Sequence, residues 1–308
     1  MTAASETEAL HFIEEEQQFQ LGFLPTEQSN PLTRNVDRDF AAVTAAGVKT
    51  LMRPDRDVAT MATRVLAGAD FARLVEQGTA VLRQGGRIVF SGCGATGRLS
   101  ILLEAMWRDG LKRLGGSTAA KYGNSVFSIM TGGDYALIKA VEFFEDYEAF
   151  GRQQVCELAM NEHDLLVAIT EGGETSSVLG TVAEATARGA ACFLLFNNPA
   201  ALLREHLERC RRALDNPAVT VLDLSCGPMA LAGSTRMQAT TSEQLIAGAA
   251  LEAILRRLAP ELPGQGPDFA AEFSTLLDQL NADAAVAGLA DYIDFETELY
   301  RHNGLVTY

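Results

Sequence analysis

Short apolar runs alternate with longer amphipathic stretches through the middle of the chain. The runs LLVAI and CFLLF, within residues 164–169 and 191–196, are almost wholly apolar, as expected for central parallel strands that are buried on both faces. The stretches between such runs repeat their apolar positions with helical spacing. This alternation predicts a doubly wound α/β fold, with a five-stranded parallel sheet between helices. The predicted strands are 87–91, 125–131, 164–169, 191–196 and 218–223.

Other patterns flank this alternation on both sides. Residues 1–36 are polar and include Pro25 and Pro31, which predicts an extended arm. From about residue 233 to the end the pattern is helical only. We therefore expect an N-terminal arm and helix over 1–50, an α/β domain over 51–258 and a helical extension over 259–308. The predicted helices before residue 233 are 37–48, 56–67, 70–84, 97–109, 134–144, 147–160, 175–188 and 199–212.

The first predicted strand runs directly into a glycine-rich loop, GCGATG, at residues 92–97. Glycines let the backbone turn tightly and approach a ligand, and the first amides of the following helix point to the same place. Anion binding by Gly94, Ala95 and Thr96 is therefore the first hypothesis. The string also fits a dinucleotide-binding loop, but that function expects an acidic residue about 20 positions further on. The nearest acid at a strand end, Asp134, comes far too late.

A second loop, TEGGETS at residues 170–176, again places glycines and hydroxyls between a buried strand and a helix. The hydroxyls of Thr170 and Thr175 can donate to phosphate oxygens, and the amide of Gly172 can approach them closely. Thr175 can equally cap the helix, which is compatible with anion binding. Because ligands gather at the carboxyl ends of parallel strands, we expect both loops to face one anion.

Side chains elsewhere add candidate chemistry. Ser234 and Arg236, in the run GSTR that opens the last helical region, suit an anionic ligand, although an internal salt bridge is an open alternative for Arg236. Glu145 follows an apolar helical stripe, and Glu171 lies in the hydroxyl-rich loop. A carboxylate beside apolar groups has a raised pKa, which suits general acid–base catalysis. Both glutamates are candidate catalytic residues, and an ordinary solvated carboxylate is the alternative for each.

Composition and charge restrict the partners. The 308 residues carry a formal net charge of −15, which disfavours nucleic acid and anionic membranes. An anionic ligand must then be held by local dipoles and single cations. Five scattered cysteines without a C-x-x-C pair favour a reducing cytoplasm. We expect no cofactor and no metal, because no His/Cys cluster has ligand spacing, and no membrane span, because no apolar run is long enough.

Taken together, these strings resemble the sugar isomerase (SIS) family of phosphosugar domains. ITEGGETSSVL is similar to a serine- and threonine-rich loop that holds the sugar phosphate in that family. The order TEQSNPLTRNVD, GCGATGRL, TGGDYA and GPMALAGSTRMQ, over about residues 22–258, is similar to the N-acetylmuramic acid 6-phosphate etherases and, more closely, to glucokinase regulatory proteins. The resemblance implies a three-layer, flavodoxin-like fold that binds a hexose 6-phosphate or an amino-sugar 6-phosphate. It also implies a homodimer or a second SIS domain as partner.

The resemblance sets two functions against each other. In the etherases a glutamate on the helix after the glycine loop serves as acid and base, and its place is taken here by Met106, which cannot transfer a proton. Glu104 lies ~200° away around the helix, and the second etherase glutamate matches Glu145. We therefore expect a binding or regulatory module, with a phosphosugar lyase or isomerase as the alternative. The last ten residues resemble a segment that leads into a second domain, so we also expect a fragment of a longer protein.

Overall fold

Five parallel strands form one sheet in the computed structural model, which describes residues 3–16, 19–139, 141–262, 264 and 266–307. Every neighbouring pair of strands is parallel, as the sequence predicts. Each strand begins and ends within one residue of its predicted bounds. The strands are β1 (Ile88–Gly92), β2 (Val126–Met130), β3 (Leu165–Ile169), β4 (Ala191–Phe196) and β5 (Val219–Asp223).

Helices cover both faces of this sheet and both flanks of the alternating region. The five before the first strand are α1 (Ala3–Glu15), α2 (Val36–Ala42), α3 (Thr44–Leu51), α4 (Asp55–Leu66) and α5 (Ala69–Arg83). Those among the strands are α6 (Gly94–Leu114), α7 (Gly116–Tyr122), α8 (Tyr135–Ile138), α9 (Glu148–Glu157), α10 (Ser176–Ala187), α11 (Ala200–His206) and α12 (Glu208–Leu214). Those after the last strand are α13 (Gln238–Leu258), α14 (Phe269–Leu280) and α15 (Asp283–Arg301).

The chain reverses its direction of travel across the sheet between β1 and β3. The strand order is β2-β1-β3-β4-β5, so β1 pairs with β2 on one side and with β3 on the other. The helices that follow these two strands lie on opposite faces: α6 packs in one apolar core with α5 and α13, whereas α10 packs in the other with α9 and α12. Such a reversal leaves a crevice at the carboxyl ends of the strands, where ligands of open α/β sheets bind.

The polar N-terminal region differs from its prediction, because α1 occupies part of the expected extended arm. Alanine, leucine and glutamate dominate its sequence, and their helix propensity outweighs the lack of a buried face. The rest of the region follows the expectation more closely, with Leu24 buried against the second core. Residues 26–33 run over the loops that follow β4 and β5, held by bonds from Asn30 to the carbonyl of Pro228 (2.7 Å) and from Thr33 to that of Ala230 (2.6 Å).

Three predicted helices are interrupted in the structure. Residues 199–212 divide at Leu207, whose extended backbone separates α11 from α12. Residues 37–48 divide at Val43, whose extended backbone separates α2 from α3. Residues 134–144 contain only the short α8 and a 3-10 segment, Glu142–Asp146. The extended backbone of Lys139 ends α8, next to the β-branched Ile138, and Ala140 lies outside the described residues.

The C-terminal helices fold back onto the N-terminal ones. α14 packs on α4 and α15 packs on α3, with a bond from Thr44 to Asp294 (2.5 Å) and an ion pair between Arg56 and Asp278 (2.6 Å). The division into 1–50, 51–258 and 259–308 remains a prediction. Among the described residues, no helix has both the length and the apolar character that crossing a bilayer requires.

Candidate functional site

The glycine loop after β1 presents the start of α6 at the carboxyl edge of the sheet. Gly94 has a φ of +55°, and a side chain there would have nothing within 4 Å, so the backbone conformation is what requires glycine. Gly92 is required by packing instead, because a Cβ would lie 2.4 Å from the carbonyl carbon of Thr96. The amides of Gly94 and Ala95 are the first donors of α6 and have no acceptor within the helix.

Thr96 holds this loop together from inside. Its hydroxyl accepts the backbone amide of Cys93 at 3.0 Å and donates to the carbonyl of the same residue at 2.8 Å. The Cys93 side chain accepts the Thr96 amide in return, which completes a capping box. Because Thr96 is only 1% exposed, its hydroxyl and its amide serve the loop itself. This leaves Gly94 and Ala95 as the donors that face outward.

The loop after β3 carries a pair of threonine hydroxyls. Thr175 immediately precedes α10, yet its side chain makes no capping bond to that helix. Its Oγ1 lies instead 2.9 Å from Oγ1 of Thr170, which is 1% exposed. The turn between them needs glycine at position 173, where φ is +85° and a Cβ would lie 2.5 Å from a methyl of Leu203. The loop therefore turns its hydroxyls toward the strand end.

The thiol of Cys93 joins the loops that follow β1, β2 and β3. The hydroxyls of Thr131, after β2, and Ser177, in the first turn of α10, are close enough to lower the pKa of this thiol as hydrogen-bonding groups. Those two hydroxyls are 2.8 Å apart, and Sγ lies 4.0 Å from Oε2 of Glu145. Burial is the main cause that raises the pKa of Cys93, and the negative charges of Glu145 and Glu171 raise it further. The thiol is thus a neutral group at the point where three strand-end loops meet.

The two candidate carboxylates lie on different sides of this point. Glu145 is exposed, on the 3-10 segment before α9. Glu171 is half-buried in the loop after β3, and Oγ1 of Thr240 lies 3.4 Å from its Oε1. Burial raises the pKa of Glu171, while its own backbone amide, Thr240 and the charge of Arg236 oppose that rise. Of the two carboxylates, Glu171 is the more buried.

The run GSTR lies at the same edge, just before α13. Gly233 has a φ of +70°, and its amide donates to the carbonyl of Thr26 at 3.2 Å, which ties the run to the N-terminal arm. Ser234 is half-buried one residue further on. Arg236 is exposed and acts on Glu171 through its charge, without an ion pair shorter than 4.0 Å in the described part of the chain. An internal salt bridge therefore does not occupy this guanidinium.

Sequence reasoning missed two buried asparagines that follow β4. The side-chain amide of Asn198 donates to Thr26 at 3.0 Å and to the carbonyl of Gly172 at 2.9 Å, so it joins the N-terminal arm to the loop after β3. Asn197 donates through Nδ2 to Glu243 at 3.1 Å and through its backbone to the carbonyl of Glu171 at 2.9 Å. Two polar residues directly after an apolar strand, FNN, were the available signal.

Glu243 was missed as well, and it is the most deeply buried carboxyl near the site. It is 0% exposed, and its Oε2 has no hydrogen-bond partner in the part of the chain that the structure describes. Burial raises its pKa well above the ordinary glutamate value, and the charge of Glu171 adds to this effect. The segment TTSEQ looks like a solvated helix face, so no sequence signal pointed to a buried acid there.

Residue 106, which holds the place of the etherase acid, lies apart from the strand-end loops. Met106 is exposed in a groove between α6 and α13, about 18 Å along the helix axis from Gly94. Glu104 is engaged elsewhere, since its carboxylate accepts from Ser128 at 2.6 Å and pairs with Arg108 at 2.8 Å. Neither residue therefore supplies a proton donor at the meeting point of the loops.

Comparison with known proteins agrees with this arrangement of motifs. A family model described as "Glucokinase regulatory protein N-terminal SIS domain" matches residues 70–186. N-acetylmuramic acid 6-phosphate etherase 1 of Bacillus licheniformis is 31% identical over 226 residues, which cover 73% of this chain and 66% of that enzyme. The etherase of Salmonella agona is also 31% identical over 226 residues, 68% of its length. The chain thus spans about two thirds of the length of these relatives.

Among solved structures, a phosphoheptose isomerase from Neisseria gonorrhoeae is similar to 65% of this chain, with 15% identity and a TM-score of 0.47, over 92% of that protein. The predicted resemblance is confirmed by the etherase relatives and by the family model, which includes the loops after β1, β2 and β3. The chain belongs to the sugar isomerase (SIS) family, and N-acetylmuramic acid 6-phosphate etherases are among its relatives.

Proposed function

We propose that this chain binds a hexose 6-phosphate or an amino-sugar 6-phosphate at the carboxyl ends of β1 and β3. One observation carries the proposal: the N-terminal turns of α6 and α10 meet around Cys93 at the point where the strand order reverses. A phosphate ester suits that place because amides and helix dipoles stabilise an anion without requiring a surplus of cations. The names of the etherase relatives, which specify a sugar 6-phosphate, support the ligand class.

Each loop has a defined part in the proposed site. The amides of Gly94 and Ala95 donate to the phosphate from one side, and Thr96 keeps their loop in place. Thr175 donates from the other side, with Thr170 orienting its hydroxyl and Gly172 allowing close approach.

The side chains around the phosphate complete the proposed site. Ser234 and Arg236 close it from the run before α13, and Arg236 supplies the positive charge that the chain as a whole lacks. Glu145 and Glu171 accept hydrogen bonds from hydroxyls of the sugar. No metal or cofactor is needed for binding of this kind, and we propose that it takes place in the cytoplasm.

The proposed domain division follows from these parts. Residues 51–258 form the SIS phosphosugar-binding domain, which includes the family match at 70–186. Residues 1–50 brace its loops, and residues 259–308 pack on the N-terminal helices. A second copy of this chain, or a second SIS domain, is the proposed partner.

A lyase or isomerase of the etherase type is the second candidate. It is favoured by the etherase relatives and by Glu145, which matches one etherase glutamate and lies beside Cys93. Met106 stands against it, because the other acid–base position holds a thioether. Incubation with N-acetylmuramic acid 6-phosphate separates the two functions: release of lactate by the unaltered chain supports the enzyme, and its absence supports the binding module.

Calorimetric titration tests the binding proposal. We expect heat of binding with fructose 6-phosphate, glucose 6-phosphate or glucosamine 6-phosphate, and none with the unphosphorylated sugars at the same concentrations. Inorganic phosphate serves as the control for a site that recognises the anion alone. If none of the three sugar phosphates binds more tightly than inorganic phosphate, the proposed function is wrong.

A further inference from the structure

A buried carboxyl lies directly behind the wall of the candidate site. Glu243 is on α13, one helical turn after Thr240, whose hydroxyl is 3.4 Å from Oε1 of Glu171. Residues three positions apart share one face of a helix, so Glu243 lies on the face of α13 that is turned toward Glu171. The two carboxyls are close enough for the charge of Glu171 to act on Glu243.

Asn197 fixes the relation between these two residues. Its Nδ2 donates to Oε1 of Glu243 at 3.1 Å, and its Oδ1 accepts the hydroxyl of Ser242 at 2.5 Å. The hydroxyl of Ser242 also lies 2.7 Å from the carbonyl oxygen of Ala239, so the Asn197 side chain is held between Ser242 and Glu243. The backbone amide of Asn197 donates to the carbonyl of Glu171 at 2.9 Å. One buried residue therefore holds the positions of both acids.

The surroundings of Oε2, the second carboxyl oxygen of Glu243, favour the protonated form of this residue. Oε2 is buried and has no hydrogen-bond partner among the described residues. An ionised carboxylate left in that condition is costly, whereas a protonated carboxyl carries no net charge to bury. Its electrostatic neighbours are Glu171 in the loop after β3 and the thiol of Cys226 after β5.

The charged groups one step further away do not change this picture. Asp55, Asp57 and Arg64 of α4 act on Cys226, and Arg236 acts on Glu171. In the described part of the chain, no cation forms an ion pair with Glu243. Arg236 therefore stabilises the ionised form of Glu171, and no positive charge is among the groups that act directly on Glu243.

We propose that the pair formed by Glu171 and Glu243 carries a single proton at neutral pH, that this proton resides on Glu243, and that Glu243 thereby limits this wall of the site to one negative charge. Glu243 is a positioning residue, since it acts on a ligand only through Glu171. A phosphate dianion meets less repulsion from one carboxylate than from two, and Glu171 stays free to accept a sugar hydroxyl. The consequence for a ligand rests on the proposed function, whereas the shared proton does not.

Glu243→Gln tests the shared proton without any ligand, because glutamine is a neutral isostere of protonated glutamate. The pKa of Glu243 is raised in the folded chain, so the folded state binds more protons than the unfolded state above the ordinary glutamate pKa. The stability that this proton contributes is complete at pH values below the ordinary glutamate pKa, and it is lost as the pH rises toward the pKa of Glu243 in the folded chain. Glu252→Gln, on the same helix and paired with Arg256, is the matched control.

We expect the parent and Glu252→Gln to lose stability as the pH rises above about 5, in urea unfolding, more steeply than Glu243→Gln. Equal slopes for Glu243→Gln and the parent would overturn the proposal. Infrared spectroscopy of the parent at neutral pH keeps the test open if Glu243→Gln does not fold. A protonated-carboxyl C=O band is expected, and its absence contradicts the shared proton.

The ligand consequence is measured separately. We expect the affinity of the parent for fructose 6-phosphate to fall, relative to that of Glu243→Gln, by about tenfold as the pH rises and Glu243 ionises. Both chains see the same ionisation of the phosphate, so their ratio isolates the residue. If no hexose phosphate binds at any pH while the stability slopes differ, the proposed function fails and the shared proton stands. If binding is observed and the slopes are equal, the shared proton fails alone.

Discussion

The hydroxyl of Thr175 is the side-chain donor on which the proposed phosphate contact depends most. It lies 2.9 Å from that of Thr170 and makes no capping bond to α10, so Thr175→Val removes a donor without removing a helix cap. Valine keeps the branched shape at this half-buried position. We expect the variant to fold, with a loss of about 1 kcal/mol from the broken hydroxyl pair.

The effect on the ligand is larger than the effect on the fold. A hydrogen bond to a charged group contributes about 1.5–3 kcal/mol, so its loss weakens binding roughly 30-fold at about 2 kcal/mol. Fructose 6-phosphate at about 100 times the parent's Kd stabilises the parent by about 2.7 kcal/mol. The same concentration is then only about 3 times the variant's Kd, and it stabilises the variant by about 0.9 kcal/mol.

Urea unfolding with and without the ligand measures this difference. Thr186→Val is the matched control, because Thr186 lies at the other end of α10 and its hydroxyl donates to the carbonyl of Val182 at 2.9 Å. We expect the control to keep the full gain in the free energy of unfolding. A Thr175→Val chain that gains as much as the parent would refute the phosphate contact at this loop.

Three further predictions concern the loops around the same point. Gly94→Ala should destabilise the chain by about 1–2 kcal/mol in thermal unfolding and weaken ligand binding, because φ is +55° at this position. The control Gly110→Ala, within α6, should instead stabilise the chain by about 0.5–1 kcal/mol, and equal effects of the two substitutions would contradict this prediction. Asn198→Ala should lower the free energy of unfolding in urea by about 2–4 kcal/mol, because three hydrogen bonds of this buried side chain are lost. A loss of less than about 1 kcal/mol, the contribution of roughly one bond, would show that other contacts hold the N-terminal arm. Neither the parent nor Met106→Glu should release lactate from N-acetylmuramic acid 6-phosphate, because position 106 lies about 18 Å along the helix axis from Gly94. Turnover by the parent would contradict the binding function.

The sheet and its strand-end loops were predictable because the patterns that encode them are local. An apolar run such as LLVAI has the length of a buried strand, and a glycine loop directly after a strand can lie only at the carboxyl edge. The strand bounds and the parallel pairing follow from such runs and from the helices between them. The approach of Cys93, after β1, to Ser177 in the first turn of α10 follows in turn from the pairing of β1 with β3.

The residues that complete the site were not predictable, because their contacts join distant parts of the sequence. Asn198 meets Thr26 across 172 positions, and Asn197 meets Glu243 across 46. Nothing in the local pattern distinguishes Glu243 from the exposed acids of other helices, and only the packing of α13 against the sheet buries it. Helix α1 was missed for a different reason, since propensity alone sustains it without a buried face.

A crystal structure of the chain with fructose 6-phosphate tests the central claim most directly. The account predicts the phosphate within hydrogen-bond distance of the amides of Gly94 and Ala95 and of the hydroxyl of Thr175, with the sugar toward Glu171. A phosphate bound elsewhere, or one held by only one of the two loops, would contradict it.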